Sequence, residues 1–563
     1  MTNSVNSQRP ESSENTRIAR AAGVVGSATM LSRVLGYVRD MVIALFFGAG
    51  PAADAFFVAF RIPNMLRRLL GEGSLTVSFI PVFTETLDRQ GEQRAKQLTS
   101  AAFSMGLSLL VLLTVLGIWL APWLVRVISP GFGDDPLKFA LTVNLLRLMF
   151  PFLIFVSLVA LCMGVLNSLG HFAAPALAPV ALNICMILGM VGLGPLFGTE
   201  RIYALAIGVL VGGVAQLALQ LPFLAKRGFL PRPSLSWNLP ELRKIGMLML
   251  PAIFGLGVTN LNVMVNTFFA SLLREGSVSF LYYADRIMEL PLGIFGVAIG
   301  TAALPAMSRQ ISANDLSGMK GTLNLYLRII IFITLPAALG LIMLREPIVA
   351  VLFQRREFDD AATQATALAL ACYAVGLVAF SALRIVVPAF YAMKDTLTPV
   401  LCAAAAFFAN IVCGLCFIGR VPYVQGSGAI VGLRNAVAWT TQHFSLADLD
   451  HGGLALGASA AAFLNLGLLL WILRRRVGRL GARLVLGSTA RIALACVPLV
   501  LGCWGAQRIG LVNNGRGFLF EAGGLLLTIL AALVLYAGAA ALLLPAELGR
   551  IIQIVSRRLR RRP

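Results

Sequence analysis

Residues 53–83 read ADAFFVAFRIPNMLRRLLGEGSLTVSFIPVF. The run is long and apolar enough to cross a bilayer, yet it holds Asp54, Arg61, Arg67, Arg68 and Glu72. Asp54, Arg61, Arg68 and Glu72 step by 7, 7 and 4 residues, which keeps them on one face of an α-helix. Arg68 and Glu72 are spaced to pair at i, i+4, while Arg67 points about 100° away. The preceding run, 22–48, adds Arg33, Arg39 and Asp40, with Gly36 as a candidate bend. A guanidinium near the membrane centre costs from about 2.5 to well over 10 kcal/mol depending on the measure, so such residues normally face a wet cavity lined by protein. Five arginines against three carboxylates in two segments imply a guest that is an anion. An arginine fork binds phosphate oxygens bidentately and stays charged where a lysine could lose its proton. The competing reading is a set of ion pairs that lock helices together.

The rest of the chain agrees with a membrane setting. It has 563 residues, 58% of them hydrophobic and 13% charged, with a mean hydropathy of +0.84. That composition excludes an ordinary soluble domain and predicts an all-α polytopic membrane protein. Segments of about 20 apolar residues span about 30 Å of hydrocarbon, and about fourteen are present. They run over 22–48, 53–83, 98–128, 137–168, 172–194, 202–225, 241–273, 278–307, 319–353, 362–392, 396–419, 453–473, 486–507 and 518–545. The first twenty residues are polar and lack the apolar core of a cleavable signal. Both termini are expected in the cytoplasm. Arg17 and Arg20, then Arg89, Arg94 and Lys96, then Lys226, Arg227, Arg232, Arg243 and Lys244 fall on one side. So do Arg474, Arg475, Arg476, Arg479, Arg483 and the tail Arg557, Arg558, Arg560, Arg561 and Arg562, as the positive-inside rule requires. The net charge of +21 is thus an orientation signal, with attraction to anionic lipid heads rather than nucleic acid.

The chain also repeats itself. Placing 56–83 against 281–307 aligns Arg61 with Arg286, Gly71 with Gly296 and Thr76 with Thr301 at an offset of 225, and Pro81 with Pro305 after one gap. Residues 164–180 lie over 388–404 at an offset of 224, which aligns Pro175 with Pro399. Agreement over so long a stretch points to duplication. The offset covers six spans, an even number, so the copies are parallel repeats. The expected organisation is a cytoplasmic tail 1–21, an N-lobe 22–228, a C-lobe 229–476 with a periplasmic insertion 420–453, and two further spans with a basic tail in 477–563. The second lobe adds Asp285, Arg286 and Glu289.

Other features carry less. AIVGLRNAVAWTTQHF, within the insertion, is an amphipathic stretch suited either to a membrane surface or to a disordered loop. Prolines such as Pro63, Pro81, Pro251 and Pro291 mark static kinks or hinges. Gly71-Glu72-Gly73 is a flexible point or a close helix contact. His171 reads as a loop residue rather than a proton relay. All eight cysteines, including Cys413 and Cys416, lie in apolar runs and behave as small apolar residues without a disulfide framework. P-loop, HExxH and GxSxG motifs are absent from the sequence, so no catalytic residue, metal or cofactor is expected.

Four strings carry a resemblance: SRVLGYVRDMVIALFFGAG (32–50), the 53–83 segment, YYADRIMELPLGIFGVAIGTAALP (282–305) and PAFYAMKDTLTP (388–399). With them the chain resembles the MurJ (MviN) family of lipid II flippases, in the multidrug/oligosaccharidyl-lipid/polysaccharide exporter superfamily. The resemblance implies a non-enzymatic transporter of the bacterial inner membrane. It would move the undecaprenyl-diphosphate-linked peptidoglycan precursor to the periplasmic leaflet by alternating access, coupled to the membrane potential or an ion.

It implies substrate-binding roles for Arg33, Arg39, Arg67 and Arg286, and matches the family's acidic positions at Asp40, Asp54, Glu72, Asp285 and Glu289; Arg61 and Arg68 read as supporting charges that chiefly pair with Asp54 and Glu72. A groove beside the last two spans would take the polyprenyl chain. Some members hold sodium in the second lobe. Asp395 matches an acid of that site, and Tyr391 stands where an amide is expected. The implied partners are lipid II, membrane phospholipids and other cell-wall synthesis proteins. Rival readings are an exporter of other lipid-linked oligosaccharides or of drugs, a membrane glycosyltransferase or polymerase, and a non-transporting scaffold.

Overall fold

The computed structural model describes residues 11–512, 517–545 and 549. The basic tail Arg557 to Arg562 and the side chain of Glu72 lie outside the described residues. Every regular element among the described residues is helical, because a backbone in hydrocarbon must satisfy its own hydrogen bonds.

The first helices are α1 (Glu11–Phe47), α2 (Pro51–Leu66), α3 (Thr76–Gln90), α4 (Glu92–Ile128), α5 (Pro136–Met149), α6 (Phe152–Ser168), α7 (Ala173–Leu188) and α8 (Ile202–Lys226). They are followed by α9 (Pro240–Ser271), α10 (Ser277–Pro291), α11 (Val297–Ser312), α12 (Leu316–Met343), α13 (Arg345–Phe353) and α14 (Asp360–Ala392). The chain continues through α15 (Leu397–Phe417), α16 (Ala429–Phe444), α17 (His451–Val477), α18 (Ala482–Ala495), α19 (Val497–Arg508) and α20 (Phe518–Leu543).

This is a polytopic membrane protein. Ten helical segments among the described residues are long and apolar enough to cross a membrane. The other four expected spans, at 22–48, 53–83, 241–273 and 278–307, are helical too, and they are the ones that carry the embedded charges or begin with Glu241, Arg243 and Lys244. Apolarity alone therefore does not reach the expected fourteen.

Three local expectations change. Helix α1 starts at Glu11, inside the expected tail, since nothing between Glu11 and Ala22 breaks a helix. It runs through Gly36 without interruption. A Cβ at Gly36 would lie 3.8 Å from Asn183 Nδ2, an ordinary contact distance, so this glycine makes no bend and the helix passes through it. The segment at 53–83 is not one α-helix either. Arg67–Leu75 is π-helical and separates α2 from α3, with Gly71-Glu72-Gly73 inside it.

By contact density the chain divides into two units: the main boundary lies inside α9 between Leu261 and Asn262, and the short connections Gly48–Gly50 and Ser129–Gly131 belong to the second unit. In the first, Phe79, Phe83, Leu98, Val165, Leu166 and Leu224 build a core from α3, α4, α6 and α8. In the second, Ile330, Ile385, Phe390, Leu469 and Tyr536 join α12, α14, α17 and α20. The Tyr536 hydroxyl donates to Phe332 O at 2.7 Å and ties α20 to α12.

Local features recur at the offset read from the sequence. The π-helical segment that starts at Arg67 has a counterpart, Leu292–Gly296, between α10 and α11, and the two starts are 225 residues apart. Glycines also set matching close crossings. A Cβ on Gly189, just after α7, would fall 2.8 Å from Ala204 O, and one on Gly208 of α8 would fall 2.9 Å from Cys185 O. In the second unit, a Cβ on Gly457 of α17 would fall 2.8 Å from Gly414 N of α15. Gly189 and Gly414 are again 225 apart. Small residues let membrane helices approach until their backbones touch. Gly208→Leu should therefore push α8 off α7 and cost about 1–3 kcal/mol. The expected readout is a lower unfolding temperature in detergent, and an unchanged temperature would show that the crossing tolerates a side chain.

Candidate functional site

Helix α2 begins with Asp54, whose carboxylate is met by Lys138 from the first turn of α5, Nζ to Oδ2 2.8 Å. The side chains are 2% and 9% exposed, so the pair is desolvated on both sides and each charge depends on the other. Asp135 places the lysine: its carboxylate accepts the Leu137 N–H at 2.9 Å and the Lys138 N–H at 3.1 Å and so caps α5. The ammonium also lies 4.2 Å from the centre of the Phe132 ring. Lys138 was passed over in the sequence, although it stands in an expected span as plainly as the arginines do.

On α1, Arg39 and Asp40 are both buried. Arg39 Nη2 lies 2.7 Å from Asp40 Oδ1, and its Nη1 donates to Asn183 Oδ1 of α7 at 3.1 Å. The Asn183 amide in turn donates to Ser32 O at 3.1 Å. Asn183, hidden in an apolar run, gave no sequence signal of this role. One turn and a half away, Arg33 is exposed and makes no hydrogen bond or ion pair among the described residues. Arg61 is half-buried, and Arg67 donates from Nε to Asn64 Oδ1 at 2.9 Å. Arg68 is exposed. The α-helical register that would pair it with Glu72 ends at Leu66, where the π-helical segment begins.

In the second unit, α10 carries Asp285 and Arg286, both half-buried, and the exposed Glu289. Arg286 Nη1 lies 3.0 Å from Glu289 Oε2, and its guanidinium sits 5.6 Å from the centre of the Tyr282 ring. Arg384 of α14 approaches the π-helical segment between α10 and α11: its Cδ is 3.6 Å from where a Gly296 Cβ would stand. It is a further arginine inside an expected span, 362–392.

Asp395, expected at an ion site, has protein partners on both carboxylate oxygens. Its Oδ1 accepts the Thr398 N–H at 3.0 Å in the first turn of α15, and its Oδ2 is paired with Arg476 of α17. Arg476 Nη2 also donates to Thr398 Oγ1 at 2.9 Å. Tyr391 is exposed. Hydrogen bonding to Thr398 first, with Arg476 beside it, holds the Asp395 carboxyl below its ordinary value. His171 lies in the turn between α6 and α7, its ring 4.6 Å from that of Phe223. Burial, and then Arg227, lower its pKa and favour neutral imidazole. Among the described residues no group of three or more His, Cys, Asp or Glu is placed to hold a metal ion.

Residues 43–514 match a family described as lipid II flippase MurJ. A Vibrio cholerae protein named probable lipid II flippase MurJ is 38% identical over 466 residues, which cover 80% of this chain and 82% of the relative. A Bdellovibrio bacteriovorus protein of the same name is 35% identical over 541 residues, 96% of this chain and 97% of the relative. A solved structure described as lipid II flippase MurJ in an inward closed conformation superposes with a TM-score of 0.73 at 23% identity, covering 92% of this chain and 98% of that one. An inward-facing multidrug resistance MATE family transporter of the MOP superfamily gives 0.63 at 17% identity, over 82% of this chain and 98% of that one. Both structural likenesses are likenesses of fold.

Two outcomes test the geometry. Lys138→Met takes the ammonium from the buried Asp54 carboxylate and should destabilise the protein by about 3–5 kcal/mol, whereas the double change with Asp54→Leu should recover most of that loss. Thermal unfolding of the two variants in detergent decides it. The Asp395 carboxyl, lowered from its ordinary 3.8, contributes stability that is present above that value and lost as pH falls through the folded one. Asp395→Asn should therefore lower stability near neutral pH and flatten the decline toward acid. A wild-type pH profile in the variant would show that the carboxylate is not held this way.

Proposed function

This chain belongs to the lipid II flippase MurJ family, and from that premise we propose that it carries lipid II across the inner membrane, from the cytoplasmic to the periplasmic leaflet. The observation that supports a cationic binding surface is how the acids of the first unit are used. Asp54 is taken up by Lys138 and Asp40 by Arg39, so neither cancels Arg33 or Arg68. An excess of positive charge then remains for a diphosphate, whose oxygens suit the planar guanidinium fork.

In this proposal Arg33, Arg67 and Arg286 meet the anionic head directly. Arg39 does so while braced by Asp40 and Asn183, and Arg61, Arg68, Glu72, Asp285 and Glu289 tune the local charge. The two repeats alternate access to the cavity, both termini stay in the cytoplasm, and the substrate's polyprenyl chain follows the last helices. The residues bind and reposition a charge and perform no covalent chemistry. A membrane potential can drive such a cycle, since moving one elementary charge through 100 mV is worth about 2.3 kcal/mol.

Reconstitution in vesicles with labelled lipid II, followed by its accessibility to an outside reagent, tests the proposal. Arg33→Ala and Arg286→Ala should each slow translocation by about 10–100-fold, the equivalent of one charge-assisted hydrogen bond or more. Rates equal to wild type in both would dispose of the cationic surface.

A further inference from the structure

The insertion between α15 and α17 is anchored at its base. Leu446 N donates to Cys416 O at 2.8 Å and Leu449 N to Phe417 O at 2.9 Å, and Ile418 bridges to Asp448. Its helix, α16, covers the amphipathic stretch read in the sequence. One face is docked: Val437, Ala438, Thr441 and Arg434 are buried. Thr441 Oγ1 accepts the Val421 N–H at 3.1 Å, and Asn435 binds Val424 through both its N–H and its carbonyl at 2.9 and 3.0 Å. Arg434 reaches Pro130 O at 3.4 Å.

The opposite face is open and apolar. Ala429, Leu433, Ala436, Trp439 and His443 recur at helical spacing and are all exposed. Leu433 is 53%, Trp439 51% and Phe444 56% exposed. The helix contains no acid and no lysine, and its single arginine is on the docked side. A water-facing helix surface normally carries charge. The rings also form a group, with the Trp439 centroid 4.8 Å from that of His443 and 6.0 Å from that of Phe444.

The helix beside this face is suited to meet lipid. Helix α15 is apolar enough to span a membrane. Leu397, Leu401, Phe408 and Val412 form an exposed stripe along it, and α16 packs against the same helix. The segment leaves one span and enters the next, so α16 is held where hydrocarbon gives way to water. Tryptophan is enriched at that depth because an indole is apolar in body and polar at one edge.

We propose that α16 lies along the membrane–water interface, with Leu433, Trp439 and Phe444 seated among lipid headgroups and the first acyl carbons. The lipid surface itself is the partner. Under the orientation proposed above it is the periplasmic leaflet. The inference otherwise rests on α15 and α17 crossing the bilayer and not on the identity of the substrate, so it stands or falls separately from lipid II transport.

Replacing Trp119, Trp123, Trp237, Trp471 and Trp504 with Phe leaves Trp439 as the sole fluorophore; all five are exposed, so the changes disturb no core. The full chain is reconstituted in phosphatidylcholine vesicles whose acyl chains carry bromine near the headgroup or near the bilayer centre, with aqueous iodide as a third quencher. A face set about 5–10 Å into the boundary predicts that shallow bromine quenches Trp439 about twofold more than deep bromine. Quenching by iodide without bromine shows a face in water, and quenching by neither shows a face covered by protein. Stronger quenching by deep bromine places the helix in the core. Any of these three overturns the proposal. If the five-fold variant does not fold, the difference in quenching between wild type and Trp439→Phe gives the same reading.

Discussion

A charge held away from water must find an opposite charge, and among the described residues Asp54 with Lys138 and Arg39 with Asp40 both meet that constraint. The first pair joins the start of α2 to the start of α5 with almost no solvent access. Breaking it leaves an ion in a medium that cannot solvate it, so the pair fixes where α2 stands. The Arg39, Asp40 and Asn183 group does the same for α1 against α7. These contacts hold the arginine-bearing helices of the first unit in register. The remaining arginines of those helices are thereby presented by a rigid scaffold.

Helix approach is the second determinant. Nothing hydrophobic drives one apolar helix against another inside lipid, so close packing and small residues do that work. Gly189 with Gly208, and Gly414 with Gly457, remove side chains where backbones come within contact distance. The π-helical segments after α2 and α10 add a second shared device. Such segments are rare and tend to sit at functional sites, and here each adjoins the charged helix of its unit. Their starts are 225 residues apart, the offset read from the sequence.

The two units also differ. The first unit concentrates its arginines on α1 and α2, while the second carries Asp285, Arg286 and Glu289 on α10 and spends Asp395 and Arg476 on holding α15 to α17. The second unit also contains the insertion with α16, stitched at its base and through Thr441 and Asn435.

Much of this was legible in the sequence. Apolar length set the membrane class, and the embedded arginines with the offset of 225 set the region of interest. The helix over Ala429–Phe444 coincides with the amphipathic stretch, because periodicity is a local property that any one segment displays. Partnership is not local. Lys138 and Asn183 lie 84 and 144 residues from the side chains they bind, and no spacing rule connects them. The π-helical turn at Arg67 and the binding of Asp395 to Thr398 and Arg476 likewise emerge only when helices meet. The sequence by itself determined that charges would be carried into the membrane and on which helices. The tertiary structure decided which of them are neutralised, because that depends on distances between segments remote in the chain.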